Sequence, residues 1–91
     1  MTTDDLTVEF ETFQGELRSF ILRMTASVQD AEDIVQDTYL KARSKLSTFR
    51  GESSIKTWVF SIASNLARDL LRSKQRWPEN VTDICREEAL G

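Results

Sequence analysis

Ninety-one residues of about 10.5 kDa are enough for one small domain and leave no room for a large two-domain enzyme. At 40% apolar and 30% charged, with three Gly and one Pro, the composition favours a soluble helical domain over disorder, collagen or a turn-rich β-sandwich. There is no histidine, and a single cysteine, Cys85, cannot close an intramolecular disulfide. The usual zinc sets and any Ser-His or Cys-His nucleophile pair are therefore missing, and neither a cofactor nor enzyme activity is expected. No apolar run approaches the roughly 18–20 residues of a membrane span and no signal peptide opens the chain, so a cytoplasmic location without membrane insertion is expected.

The formal charge of -3 hides a partition. Residues 1–37 carry nine acids and two bases, residues 38–78 nine bases and two acids, and residues 79–91 four acids and one base. Such asymmetry suggests an acidic surface for one partner and a basic surface for a polyanion, unless folding mixes the segment charges.

Phe10, Phe13, Leu17, Phe20, Ile21 and Met24 follow the three-and-four spacing of one helical face and predict a first helix over about residues 4–26. Asp4, Asp5, Glu9 and Glu11 sit near its amino end, where the helix dipole favours negative charge. After a connector over residues 25–29, Asp30 is expected to cap a second helix, with Lys41, Arg43 and Lys45 in its last turn. Ile34, Val35, Thr38, Tyr39, Ala42 and Leu46 form its inward stripe. Asp33, Gln36, Asp37 and Leu40 fall on another arc and should face out. Asp30, Asp33 and Asp37 could be imagined as a magnesium site, but a row of carboxylates on one helix makes a poor cage for a hard cation, and a solvated acidic face fits better.

Residues 47–54 break the periodicity and read as an ordered loop around Gly51, with Ser53 or Ser54 capping a third helix. That helix is expected from about Ile55 to Arg76, stopping before Pro78. Ile55, Val59, Ile62, Ala63, Leu66 and Leu70 would pack inward, with Trp58 half-buried at its start. Residues 79–91 hold a possible capped turn at Thr82 and Asp83 and too few apolar residues for a core, so a short helix or frayed tail is expected. The fold expected is an all-α, compact three-helix bundle with an ordered loop between helices 2 and 3.

The stretch from Phe49 to Arg76 sets Arg50, Gly51, Ser53, Ser54 and Lys56 beside a helix bearing Trp58, Asn65, Arg68, Asp69, Arg72 and Arg76. A reader of single strands needs cations for phosphate, amides and hydroxyls for base edges, and a π-surface for an unstacked base. The alternative is that Trp58 belongs to the core and the bases only solubilise.

Three segments taken in order are similar to a known family: Asp33-Ile-Val-Gln-Asp-Thr-Tyr-Leu-Lys-Ala, then Phe49-Arg-Gly-Glu-Ser-Ser, then Thr57-Trp-Val-Phe-Ser-Ile-Ala-Ser-Asn-Leu-Ala-Arg-Asp-Leu-Leu-Arg. Over about residues 8–78 the chain resembles the region-two domain of bacterial extracytoplasmic-function sigma factors. The resemblance implies a non-catalytic module that docks on core RNA polymerase and captures the non-template strand of the promoter minus-ten element. It implies that Asp33, Gln36, Asp37 and Leu40 meet the clamp coiled coil of the polymerase β′ subunit, and that the loop from Phe49 to Lys56, Ile55 included, captures a base. Asn65, Asp69 and Arg72 fall at promoter-contact positions of the family, and an anti-sigma factor is an expected partner. The second reading is a protein-interaction module that holds an anti-sigma factor or polymerase without productive DNA binding. Full-length members carry a later helix-turn-helix that these residues do not include, as in a fragment or a stand-alone form. Residues 1–78 are expected to be the domain and 79–91 the start of a linker.

Overall fold

The computed structural model describes residues 2–81, with side chains up to Lys74. Three helices, α1 (Thr3–Thr25), α2 (Val28–Ser44) and α3 (Ile55–Val81), pack pairwise against one another, and a single 3-10 turn, Leu46–Thr48, follows α2. The expected all-α three-helix bundle is the observed fold, and no strand occurs among the described residues.

Local chemistry sets each boundary. Thr2 and Asp5 form a reciprocal capping box, the Asp5 N–H donating to Thr2 Oγ1 at 3.2 Å and the Thr2 N–H to Asp5 Oδ2 at 3.1 Å. α1 ends on Ala26, which takes the left-handed conformation (φ 56°) and donates its N–H to the Leu22 carbonyl. The Thr25 hydroxyl reaches the Ile21 carbonyl at 3.1 Å and accepts from the Ser27 N–H at 3.4 Å, which tightens the turn to two residues.

Two expected boundaries differ. Ser27, not Asp30, caps α2: its hydroxyl accepts from the Asp30 N–H at 3.2 Å, so the helix starts at Val28 and Asp30 already lies in its first turn. α3 does not stop before Pro78 but continues to Val81. The preference of Trp77 for extended backbone and the missing Pro78 N–H disfavour helix without forbidding it, and a long helix already propagating carries both residues along. The expected features at Thr82, Asp83, Ile84, Cys85, Ala89 and Leu90 lie outside the described residues.

The core is built from one stripe per helix. Leu6, Phe10, Phe13, Leu17 and Ile21 of α1 meet Ala31, Ile34 and Ala42 of α2 and Ile55, Val59, Ala63 and Ala67 of α3. Small residues on α2 and α3 let these helices close on the large side chains of α1. Each fully buried Leu, Ile or Phe contributes about 1.5–3 kcal/mol, which makes this interface the main source of stability. Edge-on aromatic contacts tie the layers, Phe10 lying 5.2 Å from Tyr39 and Phe13 lying 5.9 Å from Phe60 between ring centroids.

Three surface ion pairs each bridge a different pair of helices: Arg18–Glu32 joins α1 to α2 at 3.9 Å, Glu16–Lys56 joins α1 to α3 at 2.8 Å, and Asp30–Lys74 joins α2 to α3. Exposed pairs of this kind contribute about 0–1 kcal/mol, so they favour one arrangement of the bundle more than they stabilise it.

Candidate functional site

Two surfaces emerge from the bundle. On α2, the burial of Ala31, Ile34, Thr38 and Ala42 turns Asp33, Gln36, Asp37 and Leu40 to solvent, as the spacing predicts. Leu40 is 50% exposed, an apolar spot beside the two carboxylates. An open groove of about 640 Å³ between α1 and α2 borders this face, with Phe10, Val35 and Tyr39 as its apolar walls and Glu11, Glu32 and Asp33 as its acidic rim. Tyr39 Oη and Thr7 Oγ1 share a 2.7 Å hydrogen bond across it. The groove escapes the sequence, because it joins residues of two helices that share no periodic stripe.

The second surface is the loop between the 3-10 turn and α3, with the exposed flank of α3. Gly51 has a φ of 78°, a conformation glycine adopts without steric cost, and it turns the loop at its centre. Ser54 caps α3: its hydroxyl accepts from the Thr57 N–H at 3.1 Å, and its carbonyl accepts from Trp58 N–H. Phe49 and Trp58 stack with centroids 5.1 Å apart. Beside them a cleft of about 240 Å³ is lined by Thr48, Phe49, Arg50, Glu52, Ser53 and Trp58. It combines an aromatic wall, two hydroxyls, a guanidinium and a carboxylate. Glu52 falls within the loop from Phe49 to Lys56 but carries no sequence signal of its own, and Thr48 lies outside it, where nothing sets it apart from ordinary loop composition.

Arg50, Gly51, Ser53 and Ser54 lie exposed on this loop, and Asn65, Arg68, Asp69 and Arg72 lie exposed on α3. Ile55, 7% exposed, lies in the core as its helical period predicts and anchors the carboxyl end of the loop, in place of the ligand-facing position that the resemblance implies. Trp58 is half-buried, as expected. Several of the polar residues engage one another. Arg68 donates to Ser64 Oγ at 2.8 Å and to Asn65 Oδ1 at 3.2 Å, which leaves the Asn65 amide N–H groups as its outward donors. Arg72 pairs with Asp69 at 3.4 Å. Lys56 pairs with Glu16 and lies 5.7 Å from the Phe60 ring centroid. The side chain of Arg76 lies outside the described ones.

Asp30 stands apart from Asp33 and Asp37 because it is drawn to Lys74, and among the described residues no group of three His, Cys, Asp or Glu is placed to hold a metal ion. No helix among them is long and apolar enough to cross a membrane.

Comparison with known proteins matches the family described as Sigma-70 region 2 to residues 10–77. The chain is 39% identical over 74 residues to the ECF RNA polymerase sigma factor SigG of Mycobacterium tuberculosis, covering 81% of this chain and 20% of that protein. It is 34% identical over 77 residues to the RNA polymerase sigma-H factor of Pseudomonas aeruginosa, covering 85% and 39%. To the RNA polymerase sigma factor YlaC of Bacillus subtilis it is 32% identical over 81 residues, covering 89% and 46%. The chain thus spans less than half the length of these relatives.

Proposed function

This chain belongs to the sigma-70 region 2 family, and we propose that it docks on core RNA polymerase through the outward face of α2 and captures the non-template strand of the promoter minus-ten element on the loop and flank of α3. Asp33, Gln36, Asp37 and Leu40 meet the β′ clamp coiled coil. Arg50 and Lys56 take phosphates, and the cleft beside Phe49 and Trp58 holds an unstacked base. Asn65, Arg68, Asp69 and Arg72, with Arg76 further along, follow the strand down α3. Residues 1–78 form the domain, 79–91 begin a linker, and the chain works in the cytoplasm without catalytic chemistry of its own.

One observation carries this reading. The cleft places an aromatic wall, hydrogen-bonding groups of both kinds and a cation around a volume of about 240 Å³, suited to a single base. Extruding a base from a duplex costs a few kcal/mol, and stacking on an aromatic side chain returns about 1–3 kcal/mol per base. Hydrogen bonds to loop hydroxyls and charges must supply the remainder, so capture needs the loop pre-shaped and the polymerase to hold the strand in place.

Anisotropy of a labelled non-template minus-ten oligonucleotide, titrated with the 91-residue chain with and without a β′ clamp fragment, tests it. Selective, salt-sensitive binding that tightens with the fragment is expected. Asp37→Lys, a change on an exposed position, should abolish clamp association while the helical signal stays unchanged. Clamp association with no DNA binding would instead leave the second reading, an interaction module for polymerase or an anti-sigma factor. That reading draws support from the ion pairs of Lys56 with Glu16 and of Arg72 with Asp69, and from the hydrogen bonds that engage Arg68 donors within α3.

A further inference from the structure

Lys56 is the second residue of α3 and stands directly after the loop, yet its ammonium is matched from outside the loop by Glu16 of α1, at 2.8 Å. Among the described residues Arg50, the loop's other cation, makes no ion pair. The Lys56 side chain is 46% exposed and that of Glu16 61%, so water and salt reach both groups and the contact exchanges readily. Beneath it, Phe60 is fixed against Phe13 and Phe20, with centroids 5.9 Å and 5.4 Å away. The Lys56 ammonium lies 5.7 Å from the centroid of that ring. The cation therefore keeps a seat next to the loop when its carboxylate partner leaves.

We propose that Glu16 is a built-in counter-charge that occupies Lys56 in the free protein and gives way to a phosphate of the bound strand, thereby setting the affinity of the loop for single-stranded nucleic acid. The proposal rests on the strand-capture reading above. The carboxylate and a phosphate offer Lys56 the same anionic oxygens, and although the ammonium has donors for both, a phosphate brought to it repels the Glu16 carboxylate, which is exposed and free to swing into water. Binding then exchanges one ion pair for another, so the net gain from Lys56 is small for any strand and base capture in the cleft carries more of the selection. Without Glu16, Lys56 would be a free phosphate contact and the loop would hold strands with less regard to sequence.

The test compares the 91-residue chain with Glu16→Gln, Lys56→Met and the double variant, each with the β′ clamp fragment present, using a short labelled single-stranded DNA at several salt concentrations. Glu16→Gln is expected to tighten binding by about threefold to tenfold at low salt and to steepen the dependence of log affinity on log salt by about 0.7, the value for one added phosphate contact on a single strand. Both changes should vanish in the Lys56→Met background. Unchanged or weaker binding by Glu16→Gln would overturn the proposal and make the pair a support for the loop. Equal tightening with and without Lys56 would overturn it too, since the carboxylate would then act only as a general negative charge. If the unsubstituted chain and all variants fail to bind saturably even with the clamp fragment, the strand-capture reading falls and takes this proposal with it, whereas saturable binding with no Glu16 effect removes the proposal alone.

Discussion

Phe49 and Trp58 face each other with ring centroids 5.1 Å apart and planes tilted by 43°, so one aromatic contact clamps the entry and the exit of the loop they flank. Phe49 closes the 3-10 turn by donating its N–H to the Leu46 carbonyl, and Trp58 lies in the first turn of α3. The loop is thus ordered before any ligand arrives, which lowers the entropy lost on binding.

Removing the indole should therefore affect binding through both stacking and loop order. Trp58→Ala is expected to weaken single-strand binding by about 5- to 150-fold, the equivalent of roughly 1–3 kcal/mol for one lost base stack, while Trp58→Phe retains most of the affinity. Phe49→Ala should leave the indole in place and speed amide hydrogen exchange over residues 50–54. Anisotropy titrations and exchange measurements read these effects, and an unaltered affinity of Trp58→Ala would show that Trp58 serves the core alone.

The three helices and their inward faces could be read from spacing because each buried stripe keeps the helical period, from Phe10 to Ile21 on α1 and from Ile34 to Ala42 on α2. The start of α2 could not, because Val28, the first helical residue, is 63% exposed and adds nothing to the stripe. Both Ser27 and Asp30 are chemically able to cap, and only the backbone path shows that the Ser27 hydroxyl meets the Asp30 N–H. Ile55 is legible as a core residue from period and as a loop residue from position, and burial decides for the core. The Glu16–Lys56 pair, 40 residues apart in sequence, depends on how α1 crosses α3, which no local pattern encodes.

The two described glycines with a structural context should respond in opposite directions. Gly15 lies inside α1, and a Cβ added there would meet nothing within 4 Å. Gly15→Ala should stabilise by about 0.5–1 kcal/mol through backbone entropy alone. Gly51, at φ 78°, should lose about 1–2 kcal/mol on the same change, because a Cβ is disfavoured in that region. Thermal unfolding separates them, since a domain of this size shifts its Tm by roughly 4–8 °C per kcal/mol.

Thr38 is fully buried on α2, and its hydroxyl has no hydrogen-bond partner among the described residues. The isosteric change Thr38→Val removes that unsatisfied group and should stabilise the protein by about 1 kcal/mol. Thr38→Ser keeps the hydroxyl and deletes a buried methyl, so it should destabilise by a similar amount, about 1 kcal/mol. Chemical denaturation of the two variants reads the difference, and a loss of stability in Thr38→Val would mean that the hydroxyl has a partner, such as an ordered water, in solution.

The amino-terminal capping box makes a pH-dependent prediction. The Asp5 carboxyl is held below its ordinary pKa chiefly by the Thr2 backbone N–H and then by the Thr2 side chain. Both partners are lost on unfolding, so the unfolded chain binds the proton at higher pH than the folded one does. The contribution of the box to stability is therefore complete above the ordinary aspartate value, near pH 4, and disappears as pH falls through the lower folded value. An NMR titration of the Asp5 carboxyl carbon should place its midpoint below that of an unstructured aspartate. Thr2→Val, which removes the hydroxyl and keeps the backbone donor, should raise the midpoint part of the way, and Thr2→Pro, which removes both, should raise it to the ordinary range. An unshifted midpoint in the unsubstituted chain would mean that the box is open in solution and that α1 begins without it.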